Sequence, residues 1–106
     1  MITDLQNRYL AFINKTLPEL AKNTHRHWPI SEDHCFARVV LDNICQDVWY
    51  NKISAPAYQH MSQQQLNEAI TLCENIQNGR VDLHLLNRRS LDWRKAENDK
   101  QGTFDF

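Results

Sequence analysis

Glycine is almost missing: Gly79 and Gly102 are the whole complement of a chain of 106 residues. A loop that cradles phosphate through its backbone needs several glycines in close succession, so a glycine-rich nucleotide loop is excluded. Proline occurs only as Pro18, Pro29 and Pro56, which leaves long stretches free to be helical. Nowhere do apolar and polar residues alternate as a half-buried strand requires, and there is no internal repeat. No apolar run approaches the roughly 20 residues of a membrane span. The opening MITDLQNR lacks the basic and then apolar order of a signal peptide. The cysteines, Cys35, Cys45 and Cys73, are odd in number and unpaired in spacing, which points to reduced thiols and a cytoplasmic location. A net charge of −1 removes the bulk electrostatic argument for nucleic acid or for acidic partners. Charge is nonetheless uneven: residues 1–27 are basic on balance, and Ser31 to Asn51 acidic.

What is present is helical periodicity over a length that suits one domain. The centre is the stretch from Trp28 to Trp49. Trp28, Pro29 and Ile30 form a bend, Ser31 has the chemistry of a helix cap, and Glu32 and Asp33 suit the positive helix end. A helical pattern then runs from His34 towards Asn51. Ala37, Val40, Leu41, Ile44 and Val48 fall on one side of it, and Arg38, Asp42 and Gln46 on the other. Before it, Leu5, Tyr9, Phe12 and Ile13 mark a first helix starting after Thr3 or Asp4, with a break or kink at Pro18. After it, Ile53 to Met61 reads as an ordered loop. Ser62 and Gln65 then make a capping box, Met61 and Leu66 a hydrophobic staple, and Asn78 with Gly79 a stop. Asp82 can cap a last helical region, as one helix or as two divided near Asn87. The expected fold is all-α, a compact bundle of about four helices over residues 1–96, with residues 97–106 as a flexible tail.

Five groupings carry potential chemistry. His25, His27, His34 and Cys35 are metal-ligating types, but their spacing matches no zinc pattern, and the expectation is no metal site. Asp33 and His34 could form a ligand-binding or acid–base site with Arg88 and Arg89, or Asp33 could clamp the last helix in place. Arg88, Arg89, Arg94 and Lys95 around Trp93 suit phosphate or single-stranded nucleic acid; alternatively Trp93 packs inward and the arginines pair with acids such as Asp42, Asp47, Glu68 and Glu74. Cys45 and Cys73 read as small core hydrophobes. Cys35 has the more activating surroundings, with His60 or His84 as conceivable partners. Gln101, Phe104 and Phe106 form a tail that can dock in a partner's groove, with a spacing that loosely resembles the peptides by which bacterial proteins bind the DNA sliding clamp.

The segments His27–Pro29, Asp33–Asn43, Trp49, Pro56–Tyr58, Gln65–Leu66 and Leu86–Arg94 together resemble a family of small bacterial proteins of similar length, some of which carry an acetyltransferase label. Such enzymes of the common fold need a β-sheet and a glycine-containing loop for coenzyme A, and this sequence offers neither. The resemblance implies a small helical protein and transfers no catalytic residue. The sequence therefore points to a non-catalytic cytoplasmic interaction or regulatory protein with a protein partner, no cofactor and no membrane. A small enzyme or ligand-binding protein, and a phosphate- or nucleic-acid-binding protein using residues 88–95, are the alternatives.

Overall fold

A reciprocal cap starts the first helix. The Thr3 hydroxyl accepts from the Gln6 amide at 3.1 Å, and the Gln6 side chain accepts from the Thr3 amide at 2.8 Å. In the computed structural model, which describes residues 2–102 along the backbone and 2–98 with side chains, α1 (Asp4–Ala11) leads into a π-helical turn (Phe12–Thr16) and then α2 (Leu17–Asn23). No break occurs at Pro18: the helical backbone is continuous from Asp4 to Asn23, and the wide turn precedes Pro18, which sits in the first turn of α2. The buried residues explain the wide turn. Tyr9, Ile13, Leu17 and Ala21 are all buried at strict four-residue spacing. On a helix of 3.6 residues per turn such a stripe drifts by about 40° at each step. A wider turn in the middle takes up part of that drift, so both halves face one core.

α3 (Asp33–Cys45) is the hub, packing against α2, the π-helical turn, α5 and α6. Ser31 does not cap it. The cap position falls on Glu32, which makes no side-chain bond there, and Asp33 Oδ1 instead accepts from the His34 amide at 2.7 Å. The helix also ends earlier than its pattern, which ran towards Asn51. Gln46 takes the left-handed conformation at φ 53°, and the Asp47 amide closes back on the Asp42 carbonyl. Val48 stays fully buried but belongs to the following loop, where a short 3₁₀ turn (Trp49–Asn51) forms. The one-sided wheel is corrected as well. Phe36, Val39, Val40 and Leu41 are buried together with Asp42, so the side carrying Arg38 and Asp42 is a second packing face.

The expected loop after Ile53 holds a short helix, α4 (Ala57–His60), preceded by a cis Ala55–Pro56 bond. It leans on α1, where Gln6 Nε2 donates to the Tyr58 carbonyl at 2.9 Å. α5 (Gln63–Gln77) starts on the anticipated capping box of Ser62 and Gln65, with Met61 and Leu66 both buried. It stops at Gly79, φ 70°, where the Gly79 and Arg80 amides close on the Ile76 and Asn75 carbonyls. This double closure is a Schellman motif, and its left-handed residue is the one position that calls for glycine. Asp82 caps α6 (Leu83–Gly102) through the His84 and Leu85 amides. α6 is one unbroken helix, its backbone running to Gly102; the rest of the expected tail, 103–106, lies outside the described residues. α1, α3 and α5 share the main core, and α6 packs principally on α3. Among the described residues there is no strand, and no helix is long and apolar enough to cross a membrane.

Candidate functional site

The most organised group of polar side chains lies between α3 and α6. Arg38 and Asp42 stand one turn apart on α3, and Ser90 and Arg94 one turn apart on α6. Asp42 is fully buried and its carboxylate receives four donors. Ser90 Oγ donates to Oδ2 at 2.6 Å and Arg94 Nε to the same oxygen at 2.8 Å. The Trp49 amide donates to Oδ1 at 3.0 Å and Arg94 Nη2 to it at 3.3 Å. Arg38 reaches the same seam, donating to Ser90 Oγ at 2.9 Å and to Asn87 Oδ1 at 2.8 Å. Asn43 Nδ2 bridges the two helices by donating to the Val39 and Leu86 carbonyls. The Arg94 guanidinium also lies 5.6 Å from the Tyr50 ring centroid, a cation–π distance. No buried side-chain nitrogen or oxygen among the described residues lacks a partner. The Asp42 carboxylate is saturated: its roughly four lone-pair sites are matched by these four donors.

Thiol chemistry is similarly damped. Burial pushes the Cys73 thiol up to about 12, with Glu74 adding to the effect. Burial also raises Cys45, against a smaller lowering by Lys52. Cys35 is half-buried, and all three cysteines are free.

Asp33 and His34 are exposed and pair with each other at 3.5 Å. Arg88 and Arg89 are exposed on α6, and among the described residues no hydrogen bond or ion pair joins them to Asp33 or His34. The arginine–aspartate clamp exists, but between Arg94 and Asp42 rather than at Asp33. Arg94 is thereby taken from the basic cluster, leaving Arg88, Arg89 and Lys95 open to solvent beside a half-buried Trp93. His25 and His27 stand with ring centroids 5.8 Å apart, His25 packed on Trp28 at 4.5 Å. Among the described residues no three His, Cys, Asp or Glu side chains gather to hold a metal ion. Phe104 and Phe106, and the side chain of Gln101, lie outside the described residues.

Sequence reasoning missed the Arg38–Asn87–Ser90–Asp42 network. The available signal was the matched four-residue spacing of Arg38 with Asp42 and of Ser90 with Arg94, complementary when two helices lie side by side.

Two surface concavities flank this seam and share Asn43. One, of about 710 Å³, runs between the end of α3 and α5, lined by Asn43, Ile44, Gln63, Asn67, Thr71, Leu72 and Asn75 among others. The other, of about 310 Å³, is lined by Asn43, Gln46, Arg89 and Trp93. Comparison with known proteins returns no match: no family model, no curated protein and no solved structure is similar to this chain.

Proposed function

We propose that this chain is a non-catalytic cytoplasmic interaction or regulatory protein that works by docking a protein partner. The observation that carries the reading is the four-donor saturation of Asp42, the one fully buried acid of the described residues, inside a structural seam. A catalytic acid needs a free position facing a substrate, and this one has none. The absence of strand among the described residues also stands apart from the acetyltransferase label attached to the bacterial proteins that the sequence resembles. The test is affinity capture of a defined partner by the full-length chain, repeated after deletion of Gln101 to Phe106. The expected result is one partner retained by the full chain, with weaker recovery and unchanged helicity after the deletion. Recovery of no partner at all removes the reading.

A second reading, phosphate or nucleic-acid binding, is supported by the exposed Arg88, Arg89 and Lys95 on one helix, with Trp93 next to Arg89 in a polar concavity. It predicts binding to short oligonucleotides that weakens as salt rises. No binding at low salt eliminates it.

A further inference from the structure

We propose that the α3–α5 groove is a seat for an extended, neutral or basic peptide segment of a protein partner, read chiefly through its backbone. The proposal rests on the interaction reading above and names what that interaction would grip. Gln63, Asn67, Thr71 and Asn75 follow one another every fourth residue on α5 and line the groove. Among the described residues, no hydrogen bond within the chain uses any of these four side chains. Side-chain amides, and the Thr71 hydroxyl, carry both a donor and an acceptor, as a peptide unit does, so a row of them complements an extended backbone whatever its sequence. Along the axis the spacing fits: four helical residues rise about 6 Å while turning about 40°, and two residues of extended chain advance about 6.6 Å, so the guest follows an oblique path across α5. The flexible side chains absorb the difference.

Asn43 adds a fixed contact on the opposite wall. Both of its N–H groups are held by the Val39 and Leu86 carbonyls, so the group it can offer is an acceptor for a peptide N–H. Half-buried Ile44 and Leu72 supply an apolar floor that every second side chain of the guest can touch. Charge sets the sign of the guest. From Ile53 to Gly79 the chain has no lysine or arginine, while α5 carries Glu68, which lines the groove, and Glu74. An acidic peptide would meet repulsion there and a basic one attraction.

The test uses labelled full-length protein on an array of unstructured ten-residue peptides. Each peptide is made in neutral, lysine-bearing and glutamate-bearing versions, with and without N-methylation of alternate backbone amides. The expected result is binding to neutral and lysine-bearing peptides, weaker binding to glutamate-bearing ones, and at least a tenfold loss on N-methylation. The double variant Asn67→Ala with Thr71→Ala should lose binding by a similar factor. Both positions are exposed, and helicity by circular dichroism should be unchanged. Absence of binding anywhere on the array, binding indifferent to N-methylation, or full binding by the double variant each overturns the proposal. If the array stays silent while the double variant still captures its cellular partner, the interaction reading survives and this groove is not its seat.

Discussion

Ser90 and Asp42, 48 residues apart in the chain, share the shortest hydrogen bond of the α3–α6 seam, 2.6 Å between two fully buried side chains. Replacing Ser90 with Ala removes that donor and also the acceptor of Arg38, leaving polar groups without partners at a cost of about 1–3 kcal/mol. Asp42→Ala is more severe. It leaves the Trp49 amide and the Arg94 guanidinium without their acceptor, at an expected cost of about 3–5 kcal/mol. Urea denaturation of both variants checks the order. An Asp42→Ala protein as stable as the parent would mean that the seam contributes nothing.

Two serines test which helix starts matter. Ser62→Ala removes a working cap on α5, with an expected loss of about 1 kcal/mol. Ser31→Ala lies ahead of a helix whose cap position makes no side-chain bond, and thermal unfolding should be unchanged within error. Equal losses in the two variants would contradict the assignment of the α3 cap.

Gln46 holds a left-handed conformation that suits glycine better. Gln46→Gly should raise stability by about 1 kcal/mol, the relief of left-handed strain less the added freedom of the unfolded chain. A lower denaturation midpoint would indicate that the Gln46 side chain makes a stabilising contact of its own.

The buried thiols set an alkaline limit. Cys73 keeps its proton up to about 12, whereas an unfolded cysteine titrates near 9.0. The folded value is the higher one, so the unfolded state releases its proton first. This contribution to stability is intact below the unfolded value and is lost as pH climbs towards the folded one. Burial pushes the Tyr9 phenol and the Cys45 thiol in the same direction. Denaturation measured across that alkaline range should show a falling stability, with a shallower fall in Cys73→Ala. A thiol reagent at neutral pH should modify half-buried Cys35 first and reach Cys73 only on unfolding. Early modification of Cys73 would contradict its burial.

The helical class, the capping box at Ser62, the stop at Gly79 and the cap at Asp82 were legible in the sequence, because each is a local interaction between near neighbours. The second face of α3 was not. Arg38 and Asp42 look on a wheel like residues meant for water, and a buried charge betrays itself only through a partner 52 residues away. The end of α3 was hidden for a related reason: Gln46 does the work usually given to glycine, and Val48 keeps the apolar rhythm after the helix has stopped. For the candidate groove, the four-residue spacing of Gln63, Asn67, Thr71 and Asn75 was open to reading in the sequence. That α3 places Asn43 and Ile44 opposite them depends on packing between helices.

α6 meets α3 through teeth as well as grease: Leu83 and Leu86 join the apolar core, while Ser90 and Arg94 engage Asp42. Slide it one turn in one direction and Leu86 confronts the Asp42 carboxylate; slide it the other way and a guanidinium stands where only a hydroxyl fits. Neighbouring registers are thus poor resting places, and the matched polar pairs fix where the last helix sits along its neighbour.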